Sequence, residues 1–347
     1  MKKEDIISLL KGINYPGYDR DIVSFGLIKE IFQEEKGIRV LLRDFTKDEK
    51  IVEKIKNEIF GKLSASFPES RIEVEVDRET KKEFGNEEIQ KLPIPGVENI
   101  IAVASGKGGV GKTTVAVNIA VSLLKKGLKT GLLDADIYGP NVPMMLGLSG
   151  KTPDFVDERI IPVERDGLKV ISMGFFLRPD TPVIWRGPLV HRAVQQFLRD
   201  VEWGELDYLI VDLPPGTGDV QLSLVQTVPI TGAIIVTTPQ DVALLDARKG
   251  LRMFEQTGTN VLGIVENMSY LQCPHCGRRI ELFRAGGGKR TSMELGVPLL
   301  GEIPLDPILP LVSDAGITIV EKNPESPTTS VFLSIAEQIV KKTRSIH

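Results

Sequence analysis

Cysteine is nearly absent from this chain of 347 residues, which contains only Cys273 and Cys276, in C-x-x-C spacing. Two cysteines exclude a disulfide framework. They also exclude a metal site with four thiolate ligands from a single chain. The pair therefore serves redox chemistry or shares a metal with ligands from elsewhere.

Long apolar runs are also absent, and none reaches the roughly 18 residues that a membrane span requires. The start, MKKEDIISLL, lacks a sustained apolar core and a small-residue cleavage site, so we expect no signal peptide and a cytoplasmic protein. The net charge of −4 lacks the basic excess of a general nucleic-acid coat. We therefore expect neither nucleic acid nor a membrane as a partner.

Charged residues are roughly twice as dense in residues 1–95 as in the rest of the chain. Residues 78–98 are first charged and then interrupted by prolines, which is typical of a linker. We predict a small α+β domain over residues 1–80, a linker over 81–98 and a larger domain over 99–347.

Helical and alternating apolar spacings indicate the elements of the first domain. They predict a helix in Met1–Leu10, strands at Phe25–Phe32 and Ile38–Phe45, a helix from Asp48 to about Lys62, and an edge strand at Arg71–Val76.

The second domain repeats the order apolar run, glycine-containing loop, helix. The runs are Ile100–Ala104, Thr130–Leu133, Tyr208–Val211, Ala233–Thr237 and Val261–Val265. Such runs predict an α/β fold with a mostly parallel sheet and helices on both faces. Ligands of such sheets bind at the carboxyl ends of the strands, so the residues after each run form the candidate site.

A glycine-rich loop follows the first run and precedes a predicted helix at Val115–Lys126. It satisfies the phosphate-loop pattern G-x-x-x-x-G-K-[ST]. Its glycines let backbone N–H groups surround phosphate oxygens, and the helix N-terminus adds positive potential. Lys112 can reach the β- and γ-phosphates of a nucleotide, and the Thr113 hydroxyl can bind Mg²⁺. The candidate nucleotide-binding residues of this loop are Gly106, Gly108, Gly109, Val110, Gly111, Lys112, Thr113 and Thr114.

Acidic residues end the second and third runs. We interpret Asp136 as the group that orients an attacking water, with Asp134 supporting it; the alternative is an Asx-type turn. Asp212 ends an apolar strand, which is the Walker B pattern for holding Mg²⁺ through water. Gly216 is then positioned to place an N–H near the γ-phosphate, unless this loop is a plain turn.

The cysteine pair has three interpretations. It can form a zinc knuckle, for which the chain lacks a second pair. It can be a dithiol redox couple, although such couples usually begin a helix in a thioredoxin-like unit. It can also contribute two of the four thiolates of a [4Fe–4S] cluster, with a symmetric dimer supplying the other two.

The two lysines of the loop, Lys107 and Lys112, resemble the deviant Walker A motif of the MinD/ParA-like P-loop ATPases. The resemblance implies a nucleotide-sandwich homodimer in which Lys107 reaches the partner's nucleotide. A cation supplied in trans can stabilise transition-state charge, as an arginine finger does. It also implies that Asn267 contacts adenine, the alternative being a C-cap.

Further motifs make the resemblance more specific. They are Tyr138–Asn141, Trp185–Pro188, Gln195–Leu198, Asp219–Leu222, Glu266–Tyr270 with C-P-H-C-G, and Gly301–Asp306. Over about residues 95–325 the chain resembles the Mrp/ApbC iron–sulfur cluster carrier ATPases. The resemblance implies catalytic roles for Lys107, Lys112 and Asp136, and the cofactors ATP, Mg²⁺ and a [4Fe–4S] cluster bound by Cys273 and Cys276. The implied partners are a second copy of the chain, apo iron–sulfur proteins and cluster-assembly scaffold proteins.

The first domain is similar to the MIP18-type (DUF59) domain through Asp21–Ile28. It departs from that pattern at Asn14–Tyr18, where an acidic D-P-E stretch is usual, and near Thr46–Glu49, where a cysteine is common. Without thiols this domain cannot bind a cluster, so we expect an interaction role.

Two alternatives remain open. One is a MinD/ParA-like positioning switch that binds a membrane or DNA through a basic C-terminal helix. For Val331–Val340 and the following Lys341–Arg344, we prefer a helix packed on the sheet with its positive charges at its own C-terminus. The other alternative is a dimeric ATPase bridged by zinc.

Overall fold

The computed structural model divides into two units, Met1–Glu88 and Ile89–His347. It describes residues 3–14, 16, 21–23, 27–34, 37–43, 49–77, 91–137, 139–157, 159–176, 187–216, 218–273, 275–283 and 286–345. The motif residues Tyr138, Trp185 and Arg186 lie outside these ranges, as do Pro274 and parts of the first domain's predicted motifs, residues 15, 17–18, 24–26 and 46–48.

The first unit pairs two helices with a three-stranded sheet. Its elements are α1 (Lys3–Leu10), β1 (Ile28–Glu34), β2 (Gly37–Arg43), α2 (Glu49–Ser66) and β3 (Arg71–Asp77). β2 lies between β1, which is antiparallel to it, and β3, which is parallel to it. Ile55, Ile59 and Leu63 recur at helical spacing on α2 and are fully buried, so this face of the helix forms the core of the unit.

The second unit alternates strands and helices. Its strands are β4 (Val97–Ser105), β5 (Thr130–Asp134), β6 (Asp154–Val156), β7 (Arg159–Ile161), β8 (Val163–Arg165), β9 (Leu168–Ser172), β10 (Leu206–Asp212), β11 (Gly232–Thr237), β12 (Val261–Glu266), β13 (Leu271–Gln272), β14 (Arg279–Ile280) and β15 (Leu299–Glu302). Its helices are α3 (Lys112–Lys125), α4 (Val142–Met145), α5 (Gly187–Arg199), α6 (Asp219–Thr227), α7 (Asp241–Gln256), α8 (Gly287–Leu295), α9 (Ile308–Asp314), α10 (Ile319–Lys322) and α11 (Pro327–Arg344).

Eight of these strands form one sheet in the order β15-β12-β11-β4-β10-β5-β9-β8. Every neighbouring pair is parallel except β8 and β9. The five predicted strands occupy its middle, and the predicted fold class, α/β with a mostly parallel sheet, is confirmed.

Alternate residues of β4 enter two separate cores. Ile101 and Val103 pack with α3 and α11, whereas Ile100 and Ala102 pack with residues of α5, α6 and α7. Helices therefore cover both faces of the sheet, which explains why its central strands contain continuous apolar runs.

The predicted linker extends too far. Ile94 is buried in the second unit and β4 begins at Val97, so at least these residues belong to the larger unit. Pro93 and Pro95, which suggested a linker, lie on either side of Ile94, and the Ile94 side chain is buried in the core of the second unit.

The C-terminal helix α11 packs on the sheet, which agrees with the interpretation preferred over a membrane- or DNA-binding helix. Its residues Phe332, Ile335, Ala336 and Ile339 are fully buried in the core beside α3. Within the described residues, no helix combines the length and apolar character needed to cross a membrane.

Candidate functional site

The glycine-rich loop connects the end of β4 to the start of α3, at the carboxyl edge of the sheet. Two of its glycines are required by close contacts. A Cβ on Gly106 would lie 2.2 Å from the backbone oxygen of Asp246, and one on Gly111 would lie 2.2 Å from Asn267 Nδ2. Gly111 also has a φ of 80°, a conformation that glycine adopts without strain.

Lys112 and Asp212 form a buried ion pair at the base of this loop. The distance from Lys112 Nζ to Asp212 Oδ1 is 2.5 Å, and the two side chains are 6% and 0% exposed. The Thr113 hydroxyl donates to Asp212 Oδ2 at 2.7 Å. The contact exists because β10 is the sheet neighbour of β4, which brings the end of β10 beside the start of α3.

Asp134, at the end of the neighbouring strand β5, is fully buried. Ser172 Oγ donates to its Oδ2 at 2.8 Å, and the backbone N–H of Asp136 donates to its Oδ1 at 3.1 Å. Burial, and to a smaller extent the nearby Asp212 carboxylate, raises the pKa of Asp134 to about 8. Asp134 thus supports the turn that presents Asp136, whose Oδ2 lies 3.8 Å from Lys112 Nζ.

A cavity of about 740 Å³ opens in front of these groups. Most of the phosphate-loop residues and Asp136 line it, whereas the buried Asp134 and Asp212 do not. The remaining wall, for which the sequence predicted no role apart from Asn267, consists mainly of Asn141, Met144, Met145, Met268 and residues of the segment 304–314. A lining that combines the polar groups of the phosphate loop with apolar side chains such as Met144 and Met145 suits the phosphates and the base of a nucleotide.

Asn267 follows β12 and lies in this wall, 6% exposed. Its Nδ2 donates to the Val110 backbone oxygen at 2.9 Å, which ties the end of β12 to the phosphate loop. Because it follows a strand, the C-cap alternative does not apply.

Gly216 has a φ of 99° in the loop after β10. Its N–H donates to the Ser105 backbone oxygen at 2.9 Å. An N–H so engaged does not point to a phosphate, so the predicted contact with a γ-phosphate requires this loop to move.

Lys107 lines the cavity of its own chain. Its Nζ lies 3.5 Å from Gln240 Oε1 in an exposed contact, so it is not held in a buried network like that of Lys112.

The cysteine pair lies on the turn of a hairpin formed by β13 and β14. Cys273 is half-buried and Cys276 is exposed. The Cys273 N–H donates to the Arg278 oxygen at 2.9 Å, and the Gly277 N–H donates to the Cys273 oxygen at 2.8 Å. Backbone N–H groups of His275 and then Cys276 lower the pKa of the Cys273 thiol, which favours the thiolate that binds metals.

The hairpin has no further ligand of its own among the described residues. In the part of the chain that the structure describes, no group of three or more His, Cys, Asp or Glu side chains is placed to hold a metal ion. Among the described residues the two thiolates thus have no third ligand beside them, and ligands from another molecule can complete a metal site.

The parallel sheet, the phosphate loop and the buried lysine–aspartate pair define the chain as a P-loop NTPase. A family model described as "ParA: NUBPL iron-transfer P-loop NTPase" matches residues 96–340. The chain belongs to this family, which confirms the resemblance stated for its ATPase segment.

Individual proteins with similar sequences support the same family assignment. The chain is 54% identical over 277 residues to an iron-sulfur cluster carrier protein of Synechocystis, covering 78% of each chain. It is 42% identical to an iron-sulfur cluster carrier protein of Deinococcus radiodurans, over 96% of this chain and 93% of that one, so the match includes the first unit.

A solved structure with the same fold is a nucleotide-binding protein from Archaeoglobus fulgidus in complex with ADP. The TM-score is 0.58 at 43% identity, covering 66% of this chain and 90% of that one.

Proposed function

We propose that this protein is an ATPase that carries a [4Fe–4S] cluster across a homodimer and delivers it to apo iron–sulfur proteins. The observation that carries the proposal is the cysteine hairpin, whose first cysteine, Cys273, lies five residues after the cavity residue Met268. The family and the carrier relatives support the cluster as the cargo.

ATP and Mg²⁺ fit the groups at the cavity. The hydroxyl of Thr113, which lines the cavity, and the carboxylate of Asp212 beside it would be oxygen ligands of the kind that Mg²⁺ prefers, directly or through water. Mg²⁺ supplies charge neutralisation at the phosphates when it is bound. Asp212 pairs with Lys112, and nucleotide phosphates would offer Lys112 another anion and leave this carboxylate to hold the metal.

Two lysines and one aspartate have distinct roles in this proposal. Lys112 binds the phosphates within its own chain, and Asp136, in the cavity wall, orients the attacking water. Among the described residues, the Lys107 ammonium makes one exposed contact, with Gln240, which leaves it able to reach the nucleotide of a second copy. Lys107→Ala is expected to keep ATP binding and to lower ATP hydrolysis.

The number of cysteines supports the dimer. One hairpin offers two thiolates, and a cubane cluster takes four. A twofold axis that brings two hairpins together supplies all four from identical turns. Cluster binding and dimer formation are then one event.

Anaerobic reconstitution with iron and sulfide tests the cargo. The expected result is about four iron atoms per dimer, the content of one cubane cluster. Cys273→Ala/Cys276→Ala should lose the iron, while His275→Ala, which alters the exposed residue between the cysteines, should keep it. Iron retained by the double variant, or zinc in place of iron in anaerobically purified protein, would contradict the proposal.

A transfer assay tests the role of ATP. Loaded protein is mixed with an apo-protein that needs a [4Fe–4S] cluster, with ATP, without ATP, and as Lys112→Ala. ATP is expected to change the transfer rate of the wild type and to leave the rate of Lys112→Ala unchanged.

The proposal also covers the role of the N-terminal domain and the cellular compartment of the protein. We assign the predicted first domain, residues 1–80, a MIP18-type (DUF59) interaction role with clients or scaffold proteins, because its sequence has no cysteine. We place the protein in the cytoplasm, and cell fractionation tests this.

A further inference from the structure

The segments that follow β12 and β15 run side by side along the cavity. Beyond the ends of the strands, the Ser269 N–H donates to the Ile303 oxygen at 2.9 Å. The Leu305 N–H donates to the Tyr270 oxygen at 2.7 Å. The chain that leads to the cysteines is thus hydrogen-bonded to the chain that continues into the segment 304–314.

Both segments touch the cavity. Asn267 and Met268 line it from the first segment, and Leu305 lines it from the second. Met268 has a φ of 54°, a left-handed conformation that a non-glycine residue keeps only when its surroundings impose it. A nucleotide that displaces either segment therefore displaces the base of the cysteine hairpin.

Arg279 joins the returning strand of the hairpin to both segments. Its guanidinium lies 4.0 Å from the centre of the Tyr270 ring, on the first segment. Its Nη1 lies 3.1 Å from an oxygen of Glu302, on β15, and its Nε lies 2.5 Å from an oxygen of Glu281. A planar guanidinium can stack and form ion pairs at once, which a lysine cannot do equally well.

We propose that Arg279 is a positioning residue that couples the cysteine hairpin to the nucleotide cavity. Arg279 does not line the cavity, so it would not touch a bound nucleotide and is linked to the cavity wall only through Tyr270 and Glu302. The inference rests on the proposed function, in which the hairpin holds the cargo. When a nucleotide moves the cavity wall, Arg279 makes the hairpin follow, and the exposure of its thiols changes.

The Arg279 side chain is 41% exposed, so replacing it removes surface contacts and leaves the core intact. Arg279→Gln removes the charge and the stacking. Arg278→Gln is the matched control, since it removes the neighbouring arginine, whose side chain is exposed. Tyr270→Phe keeps the ring that Arg279 covers, and Tyr270→Leu removes it.

The experiment measures the alkylation rate of the two thiols by iodoacetamide in reduced, cluster-free protein, with and without ATP and Mg²⁺. In the wild type, ATP is expected to change the rate about fivefold or more, the lower range of coupling between sites. The same ratio is expected in Arg278→Gln and Tyr270→Phe. It should fall to near one in Arg279→Gln and Tyr270→Leu, with an unchanged Kd for ATP, and Arg279→Lys should be intermediate.

Three results would overturn the inference: no effect of ATP on the wild-type rate, a wild-type ratio in Arg279→Gln, or a lower ATP affinity in that variant. The assay contains no cluster, so its result is separate from the iron content of the reconstituted wild type. Absence of iron there would refute the carrier function and leave the coupling measurement intact.

Discussion

The ion pair at the base of the phosphate loop makes the most quantitative prediction. Lys112→Met keeps most of the side-chain length and removes the ammonium group that lies 2.5 Å from Asp212. Asp212 is fully buried, and the Thr113 hydroxyl at 2.7 Å is then a neutral donor to an uncompensated carboxylate. Removing one partner of a buried pair costs about 3–5 kcal/mol of unfolding free energy.

The predicted loss can be followed in the second unit. Trp203 is 1% exposed in its core, so its fluorescence reports unfolding there. At about 2–4 °C per kcal/mol for a unit of this size, the Tm should fall by about 6–20 °C. Wild-type protein should gain about 2.7 kcal/mol from ATP and Mg²⁺ at about 100 times the Kd, and Lys112→Met should gain little.

A second variant separates charge from packing. Asp212→Asn in the Lys112→Met background removes the buried charge and keeps the shape, so it should restore at least half of the lost stability. A Tm of Lys112→Met within about 2 °C of the wild type, or no recovery in the double variant, would refute this account of the pair.

Three further predictions concern single residues. Gly106→Ala should destabilise the second unit by more than about 2 kcal/mol in denaturant unfolding, because its Cβ would overlap the Asp246 backbone, whereas Gly108→Ala has open space and should keep its stability. Asp134 holds a proton in the folded state up to about pH 8, but in the unfolded state only up to about pH 4. The free energy of unfolding should therefore fall as the pH rises between these two values. The fall should be smaller in Asp134→Asn, which has no carboxyl group to titrate. Asn267→Ala should raise the Kd for ATP about five- to tenfold in calorimetry, because the phosphate loop loses a buried hydrogen bond.

Each of these three predictions has a result that would contradict it. Equal stabilities of the two glycine variants would show that the loop relaxes around an added methyl group. Identical pH profiles for wild type and Asp134→Asn would show that the carboxyl group is solvated. An unchanged Kd in Asn267→Ala would show that its amide does not hold the loop in the bound state.

The predicted strands of the sheet match β4, β5, β10, β11 and β12 because an apolar run between helices is a local signal. The outer strands β8, β9 and β15 were not predicted. They are short, three to five residues each, and β8 joins the sheet antiparallel as an edge, so no continuous apolar run marks it. In the first unit, all the predicted elements appear, and β3 is an edge strand as predicted.

The sequence by itself determined the phosphate loop, its flanking strand and helix, and the shortage of thiols, because each is a matter of residue type and spacing along a continuous stretch. Only the tertiary structure decided which distant groups meet. The order of the strands places Asp212 on Lys112 and Ser172 on Asp134, and it sets the segment 304–314 against the loop. Strand order depends on pairings between residues far apart in the chain, which local spacing does not encode. The contacts of Arg279 with Glu302 and Tyr270 also join residues that are apart in the sequence, so they could be identified only from the tertiary structure.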